Sequence, residues 1–395
     1  MLVLYLGSLT EGMLDGFMAV VLPLYVADRF KDALGIPVAV IAGVLLSLSG
    51  LADSILLPFA GSFSDRMLRR KRFIQFGRTL IFCTLVLFTV WPNFLFAATL
   101  RVLQGVGVAL LLPSSLALIS ESMPQGMQAS AMSLQTSLRV LGGLLGPILG
   151  GLAQAVIGYE GAFWIMAGAW LAASLLIAGL VRDVPVRGQK AEAVPKAAPG
   201  QASQAGWLTL RDMLLLSTVM FSVSYCAAMI GSLQNILNEQ LNQTAVAFGI
   251  AYGATSFARI GLQVPVGYLV DRFRPKPFIL AGLALMGLAT LGIGYVNTTG
   301  GLIFFRVLQG LGMTLSMVPV LGMAASISGP QFRGRNMGIS TSGFGLGASA
   351  GPLITGLLAG YFSLEISFVF SALLCALAMI LVGTKVGSYS LRPGS

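Results

Sequence analysis

The chain has 395 residues, of which 56% are hydrophobic and only 10% are charged. Soluble domains carry about 25% charged residues, so this composition excludes a soluble globular protein and predicts a surface that faces mostly hydrocarbon. The net charge of +10 would be compatible with nucleic-acid binding. The cations, however, lie in short segments between apolar stretches and not on one soluble face, which excludes that class.

The residue inventory also restricts the chemistry. The sequence has no histidine, so proton handling must use carboxylates and an imidazole metal site is excluded. Its three cysteines all fall inside apolar stretches, without metal-ligand spacing. There is no phosphate-binding loop and no nucleophile–base set. We therefore expect neither an enzyme nor a cofactor, and a gradient must supply any energy that the protein uses.

Apolar segments of membrane-spanning length recur twelve times along the chain. The segments lie near 3–27, 37–60, 73–91, 94–120, 129–157, 161–181, 213–238, 245–270, 278–296, 300–327, 336–361 and 364–384. The sequence thus predicts an all-α integral membrane protein with twelve transmembrane helices. We expect an N-terminal six-helix bundle at 1–182, a C-terminal bundle and short tail at 213–395, and a Pro-, Ala- and Gln-containing cytoplasmic linker at 183–212.

Basic residues predict the orientation of the chain. With both termini in the cytoplasm, 17 of the 24 Lys and Arg fall in cytoplasmic loops and the tail. The positive-inside rule favours this topology over its reverse. We place the protein in the cytoplasmic (inner) membrane as a multi-pass protein, with Arg78 at the inner end of span 3.

Three motifs recur in register and indicate two parallel halves. The loop Gly61-Ser-Phe-Ser-Asp65-Arg66-Met-Leu-Arg69-Arg70-Lys71-Arg72 has a weaker copy from Gly267 to Lys276. In span 4, Arg101-Val-Leu-Gln-Gly recurs as Arg306-Val-Leu-Gln-Gly, and in span 5, Gly142 to Gly151 recurs from Gly347 to Gly356. Parallel repeats around a midplane site are typical of transporters.

These three motifs resemble signatures of the major facilitator superfamily, and the resemblance covers essentially the whole chain. It implies two six-helix bundles related by pseudo-two-fold symmetry, alternating access, and a cytoplasmic latch at Asp65, Arg66 and Arg69. The Gly142 motif resembles the span-5 form of the drug:proton antiporter branch. The second Gly of the loop motif is Leu68 here and Arg274 in the second copy.

Away from the ends of the predicted spans, we count seven charged residues inside the hydrocarbon. They are the acids Glu11, Asp15 and Asp53 and the bases Arg101, Arg139, Arg259 and Arg306. Each costs about 2.5–3.5 kcal/mol at the centre of a bilayer on insertion scales, so each is a candidate functional residue.

Glu11 and Asp15 are four residues apart, so they share one face of span 1. We interpret them as proton-coupling carboxylates, with Asp15 favoured because it lies nearer the midplane. The resemblance implies that Arg101 of span 4 lies nearby and takes part. The alternative is a fixed ion pair between one of these acids and an arginine of span 4 or 5, and Glu11 could equally be solvated.

At two further positions, equivalent residues of the two halves differ in charge. Asp53 aligns with Arg259 at an offset of 206 residues, which indicates a pair across the interface between the halves. This pair could be a gate, a coupling switch or a static bridge. Arg139 aligns with Phe344 and is a candidate for proton or substrate work, or else the counter-ion of Asp15.

The remaining candidates line the second half or form hinges. Substrate-binding candidates are Tyr225, Gln234, Asn235, Arg259 and Gln263. Gating candidates are Gly61, Asp65, Arg66, Arg69, Gly146 and Pro147. The glycines permit close helix packing, and Pro147 removes one backbone hydrogen bond and bends its helix.

Three functions compete on this pattern. Proton-coupled efflux of apolar or cationic compounds is favoured by intramembrane acids confined to the first half. Transport of an anionic metabolite or amphiphilic lipid is favoured by the surplus arginine, with Arg139 and Arg259 as the binding groups. A membrane-embedded sensor is disfavoured because the linker and tail are too short for an output domain. The expected partners are a small-molecule substrate, protons and the lipid bilayer, with no nucleic acid and a monomeric state.

Overall fold

A computed structural model describes residues 2–30, 35–67, 70–91, 93–122, 128–181, 202–327 and 333–385, for some of which, at helix ends, only the backbone is described. The helices are α1 (Leu2–Phe30), α2 (Val38–Met67), α3 (Arg70–Leu87), α4 (Phe94–Glu121), α5 (Gln128–Leu180), α6 (Ala202–Ala228), α7 (Gln234–Gln240), α8 (Ala245–Arg272), α9 (Pro275–Ile293), α10 (Thr299–Ile327), α11 (Arg333–Tyr361) and α12 (Leu364–Lys385). The fold is all-helical over these ranges. That outcome is expected, because a helix satisfies every backbone polar group within hydrocarbon.

Ten of the described helices are long and apolar enough to cross a membrane by length and composition. Helix α3 is not among them, because Arg70, Lys71, Arg72 and Arg78 lower the hydropathy of its 18 residues. Helix α5 is a merger of two helices, its first and second arms, across a bend. Gly158 interrupts it with φ 75° and ψ −177°, a left-handed φ that favours glycine. The predicted spans 129–157 and 161–181 lie on either side of this glycine.

Span 7 is also irregular. Helix α6 begins at Ala202, inside the segment 183–212 that the sequence assigned to the linker, whereas residues 182–201 lie outside the described residues. A short 3₁₀ segment, Met229–Leu233, joins α6 to α7. The division of the chain into two bundles at this linker stays a prediction.

Helix packing repeats between the two halves. In the first half α1 packs on α5, α2 on α4, and α3 on both α4 and α5. In the second half α6 packs on α11, α8 on α10, and α9 on both α10 and α12. Contacts between the halves run mainly through α2 against α11 and α5 against α8.

Single contacts show the register of this repeat. Lys71 donates to the carbonyl of Ala178 over 2.7 Å, and Lys276 donates to the carbonyl of Gly383 over 2.9 Å. Both members of the second pair are offset by 205 residues from the first. Gly142 packs on the backbone of Leu9 and Gly347 on that of Phe221, so α1 and α6 align at an offset of 212.

The halves meet closely at one end of the bundle, which we call the narrow end. This end carries the junctions α1–α2, α3–α4, α7–α8, α9–α10 and α11–α12 and the bend at Gly158. There Gly151 packs on Ala245, and a Cβ built on Gly151 would lie 2.6 Å from the Ala245 carbonyl oxygen. Gly356 packs in the same way on Ala39. Such glycines let helix backbones approach within the membrane, where no hydrophobic effect drives association.

The other end, which we call the basic end, carries the junctions α2–α3, α4–α5, α5–α6, α8–α9 and α10–α11. Near it, Met132, Leu134, Thr136 and Ser137 of α5 are exposed. This face of α5 is therefore uncovered, although Ala131 and Gln135 on its other face are buried, whereas the Gly151 region packs tightly on α8. The contrast indicates a cleft between the halves that is open at the basic end.

Candidate transport site

An ion pair at the middle of α1 is the centre of the site. Arg139 of α5 donates from Nη2 to Oδ2 of Asp15 over 3.0 Å. The side chain of Asp15 is 56% exposed, although Leu14, Gly16 and Phe17 beside it are buried. Asp15 thus faces open space between helices and not the packed interior of the first half.

Charged and ionisable groups from several helices surround this pair. Asp15 interacts electrostatically with Arg101 of α4 and Arg139 of α5, and with Tyr252 of α8 in the second half. Arg139 in turn interacts with Asp15, Glu11 and Asp53. Three carboxylates on α1 and α2 therefore share one guanidinium, and the group lies at the interface between the halves.

Glu11 lies one turn from Asp15 but in a different environment. Its side chain is buried, and within the described ranges it has no hydrogen-bond partner. The charges that act on it are Arg139, Arg78 and Asp15. Sequence reasoning left open whether Glu11 is solvated; the structure buries it between two arginines.

The expected pair between Asp53 and Arg259 is absent from the described residues. Asp53 interacts with Arg139 and Asp15 instead, and its buried Oδ1 atom has no hydrogen-bond partner there. Alignment of Asp53 with Arg259 in the repeat is correct, because Gly105 packs on Ser49 and Ala52 just as Gly310 packs on Thr255 and Ala258. The pairing fails because Asp53 faces the cation of its own half.

The two span-4 arginines have equivalent partners. Arg101 donates to the carbonyls of Leu45 and Leu46 and to Gln104 Oε1, over 2.8, 3.1 and 2.6 Å. Arg306 donates to the carbonyls of Ala251, Tyr252 and Ala227 and to Gln309 Oε1, over 3.4, 3.3, 3.2 and 2.7 Å. Both arginines bind neighbouring helix backbones. This arrangement fits the structural role expected for Arg306, and the part of Arg101 in proton coupling stays a prediction.

Arg259 of α8 differs from the other intramembrane arginines. Across the described part of the chain it has neither an ion pair nor a hydrogen bond, and no charged group acts on it. Tyr252, Ser256, Arg259 and Gln263 follow one stripe of α8 by their spacing. The exposed apolar face of α8 carries Ile250, Phe257, Ile260 and Val264 instead. Arg259 is therefore a partly buried cation directed away from the apolar exposed face.

The other substrate candidates lie apart. Tyr225 is fully buried, and its hydroxyl lies 3.1 Å from Thr355 Oγ1 within the second half. Asn235 donates to the carbonyl of Pro23 over 2.8 Å and so ties α7 to α1 across the halves. Gln234 is fully buried, and neither of its side-chain polar atoms has a partner among the described residues. Gln263 lies one turn from Arg259 on α8 and, like Asn235, is partly exposed.

The gating candidates fall into two groups. Gly146 packs on the backbone of Met13, while Pro147 contacts Gly16 of α1 on one side and Gly249 of α8 on the other. This stretch of α5 therefore touches both halves, as a hinge or packing surface requires. Gly61, Asp65 and Arg66 lie in the last turns of α2, where only the backbone is described, and Arg69 lies outside the described residues.

Sequence reasoning missed Arg78. It assigned Arg78 to the inner end of span 3, but the side chain is 1% exposed and lies over the ring of Trp170, 4.3 Å from its centroid. The signal was available, because the equivalent residue at the 205-residue offset is Leu283.

A separate apolar crevice of about 320 Å³ opens beside the Gly158 bend. Met13, Phe17, Leu149, Ala153 and Met166 are among the residues of α1 and of both arms of α5 that line it. Leu149 is exposed on the outside of the bundle, so this crevice faces the surroundings of the protein and not Asp15.

The fold and the site define a polytopic membrane transporter, since an ion pair at a half-to-half interface lies within a repeated helical bundle. Comparison with known proteins identifies the family. The Major Facilitator Superfamily profile matches residues 4–232 and 213–387, so the chain belongs to that superfamily. It is a transporter and not an enzyme.

Relatives of the chain include both named and uncharacterized transporters. Multidrug resistance protein MdtG of Serratia proteamaculans is 22% identical over 98% of this chain and 92% of its own length. The 3-(3-hydroxy-phenyl)propionate transporter of Escherichia coli is 27% identical over 76% of this chain and 74% of its own. An uncharacterized transporter of Methanocaldococcus jannaschii, MJ1560, is 30% identical over 45% of this chain and 46% of its own. Among solved structures, a D-xylose-proton symporter superposes with a TM-score of 0.78 at 15% identity, over 99% of this chain and 98% of its own.

Proposed function

We propose that the protein is a proton-coupled exporter of apolar or cationic compounds. The observation that carries the proposal is the Asp15–Arg139 ion pair, whose carboxylate is half exposed at the interface between the halves. A carboxylate in this position can bind either a proton or a cation. Competition between the two for one site is the basis of antiport.

The ion pair provides a physical link between proton binding and conformation. Protonation of Asp15 removes its charge and therefore its attraction to Arg139, which is held on α5. The α5 segment that follows packs on both α1 and α8, so a change at Arg139 can reach the contact between the halves. Proton binding can thus favour one of two arrangements of the halves.

The full architecture is part of the same proposal. Counting α3 as a span, both arms of α5 as two spans, and α6 with α7 as one gives twelve transmembrane helices. Both termini then lie at the basic end, which the positive-inside rule assigns to the cytoplasm. Two bundles, 1–182 and 213–395, move about a monomer's central site with the linker 183–212 between them, in the inner membrane. The similarity to MdtG supports the drug-efflux branch.

The test uses purified protein in liposomes with a pH gradient. Internal pH is followed while a lipophilic cation, ethidium, is added to wild type and to Asp15→Asn. The wild type should release protons when ethidium is added, and the variant should not. Glu160→Gln is the matched control, because Glu160 is a carboxylate of the same half that pairs with Arg29 near the narrow end, 3.0 Å away. Normal ethidium-driven proton movement in Asp15→Asn would contradict the proposal.

A second candidate function has its own observation, the unpartnered Arg259. A guanidinium without a partner in the described part of the protein can bind a carboxylate or phosphate. The substrate would then be an organic anion or an amphiphilic lipid, held by Arg259 with Arg139 across the interface. The relative named as a 3-(3-hydroxy-phenyl)propionate transporter supports this reading.

Anion uptake into the same liposomes separates the two candidates. The probe is 3-(3-hydroxyphenyl)propionate, compared between wild type, Arg259→Gln and Arg259→Lys. Anion transport predicts loss of uptake in Arg259→Gln and partial uptake in Arg259→Lys, which keeps the charge. Ethidium-driven proton release with no anion uptake in any of these proteins would exclude the second candidate.

A further inference from the structure

A buried polar network lies between α1, α3 and the second arm of α5, away from the cleft. Arg78 donates from Nε to Ser174 Oγ over 2.9 Å and from Nη2 to Thr10 Oγ1 over 3.1 Å. It also donates to the carbonyl of Trp170 over 3.4 Å, and the indole of Trp170 donates back to the carbonyl of Arg78 over 2.8 Å. This network fixes a guanidinium inside the first half.

The network reaches from the central carboxylates toward the basic end. Glu11 is buried beside it, with Arg78 acting on it from α3 and Arg139 from α5. Beyond Arg78, Gln75 donates to the carbonyl of Ser174 over 3.4 Å. One turn further, Lys71 donates to the carbonyl of Ala178. Polar groups therefore follow one another from Asp15 past the buried Arg78 to Gln75 and Lys71, which are half-buried near the basic end.

The second half shows that the fold does not need this network. At the offsets set by the helix contacts, Glu11 corresponds to Val223, Arg78 to Leu283, Trp170 to Cys375 and Ser174 to Met379. Val223 and Leu283 are fully buried, and Cys375 is 2% exposed. The same helix packing is thus built there without the charged groups, although Thr10 corresponds to the polar Ser222. A buried charge is costly unless it is needed, so its presence in one half only indicates a function.

We propose that Glu11 is a second proton-binding group, and that Arg78 positions it on a proton path separate from the substrate cleft. This inference rests on the proposed proton coupling. The path runs from Asp15 through Glu11 and past Thr10, Arg78 and Gln75 to the basic end. Arg78 does not carry the proton; it stabilises the charged form of Glu11 and holds α1, α3 and α5 around it.

The proton balance of the path is simple. The carboxylic acid of Asp15 gives its proton to the carboxylate of Glu11, so Asp15 becomes free to pair with Arg139 while Glu11 becomes neutral. Glu11 then releases the proton to solvent at the basic end and returns to a carboxylate next to Arg78. A substrate in the cleft does not block this route, because Glu11 is buried whereas Asp15 faces the cleft.

Other charged groups also act on this pair. Asp53 of α2 and Arg101 of α4 approach it from the helices packed against α1 and α5, and Arg139 interacts with both acids. The acids of this group therefore do not bind protons independently of one another. The variants must be compared with one another and with wild type over the same pH range.

Infrared difference spectra of the unliganded protein provide the first test. Each carboxylic acid that gains a proton between alkaline and acidic buffer gives a C=O stretching band. Glu11→Gln should remove one band and Asp15→Asn a different one, and Arg78→Leu should alter the band that Glu11→Gln removes. If Glu11→Gln removes no band, Glu11 does not bind a proton and the inference is wrong. If Asp15→Asn removes none, the proposed proton coupling fails instead.

Liposome assays with ethidium provide the second test. Proton-driven net transport requires the path, whereas exchange of ethidium for ethidium without a pH gradient does not. Glu11→Gln and Arg78→Leu should lower net transport about 100-fold, the lower end of the effect of one acid–base group, with exchange unchanged. Arg78→Lys, which keeps the charge, should recover part of the net transport, and Glu160→Gln should behave as wild type.

Two results would overturn the inference. The first is an equal loss of exchange and net transport in Glu11→Gln, which would mean that Glu11 only supports the fold. The second is full net transport in Glu11→Gln and Arg78→Leu alongside loss in Asp15→Asn. That outcome would leave proton coupling at Asp15 intact while placing proton release in the open cleft.

Discussion

The intramembrane arginines of this protein differ in role, and their hydrogen-bond partners distinguish these roles. Arg306 is 1% exposed and donates to three backbone carbonyls and to Gln309. Arg259 lies in the same half without a partner in the described ranges. Hydrogen bonds to a charged donor stabilise helix packing, whereas an unpaired buried charge costs free energy.

This contrast predicts opposite effects of one substitution at two positions. Arg306→Met should lower the free energy of unfolding by about 2–4 kcal/mol, because it leaves several buried acceptors without their donor. Arg259→Met should leave it unchanged or raise it. Thermal unfolding of both variants in detergent, followed by intrinsic fluorescence, makes the comparison. A similar loss of stability in both variants would mean that Arg259 has partners that the geometry does not show.

For single residues, the sequence predicted which side chains belong to the site better than it predicted which side chains contact each other. Asp15 and Arg139 could be found because acids are costly in hydrocarbon and because Arg139 breaks the internal repeat. The Asp53–Arg259 pair was wrong, since alignment gives equivalent positions but not the direction of each side chain. Arg78 was missed because it follows the basic cluster Arg70–Arg72 closely and was counted with that loop.

Between elements, glycine determines where the halves can touch. Gly356 of α11 packs on the Ala39 backbone of α2, and Gly151 of α5 packs on Ala245 of α8. All four residues lie near the narrow end. These contacts bring backbones together across the two halves, so they hold that end closed.

Adding one methyl group at this interface should open the narrow end. In Gly356→Ala the new Cβ would overlap the Ala39 carbonyl oxygen, so α2 and α11 must separate. Spin labels at Val90→Cys and Tyr295→Cys, exposed and equivalent positions of the two halves at this end, measure the separation by pulsed electron resonance in a cysteine-free background. The distance distribution should shift to longer values.

Gly261→Ala is the control for this experiment, because a Cβ there meets no atom within 4 Å. It adds the same methyl group to a helix of the same protein. An unchanged distance distribution in Gly356→Ala would show that α2 and α11 can adjust without separating, and that this contact does not hold the end closed.

Element boundaries could be predicted only in part. Apolar runs located α1, α4 and α8 to α12 within a few residues, because length and hydropathy decide a span. The break at Gly158 falls between the predicted spans 5 and 6, where the chain has to turn. The start of α6 at Ala202 could not be predicted, since its first turns have the polar, Ala- and Gln-containing composition expected of a linker.

Over the whole molecule, symmetry of fold is combined with asymmetry of charge. The two halves repeat their helix contacts, yet Glu11, Asp15 and Asp53 all lie in the first half, together with Arg78 and Arg139. The second half contributes Arg259 and an apolar core. In the proposed function, proton binding therefore belongs to the first half, and the second half supplies the opposing wall of the cleft.

The orientation and the number of spans can be tested together on α3, whose basic residues remove it from the helices that qualify by composition. Single cysteines are placed at its two ends, Arg72→Cys and Val90→Cys, after the exposed Cys83 is replaced by Ser. A membrane-impermeant maleimide added to intact cells should label Val90→Cys and not Arg72→Cys, because the proposed topology puts the basic end in the cytoplasm. Arg274→Cys and Tyr295→Cys flank α9, the equivalent helix of the second half and one that qualifies as a span, so they should give the same pattern.

Two outcomes would contradict this architecture. Labelling of Arg72→Cys alone would show that the topology is the reverse of the proposed one. Equal labelling of both α3 positions, with the expected pattern on α9, would show that α3 does not cross the membrane and that the twelve-span architecture is wrong.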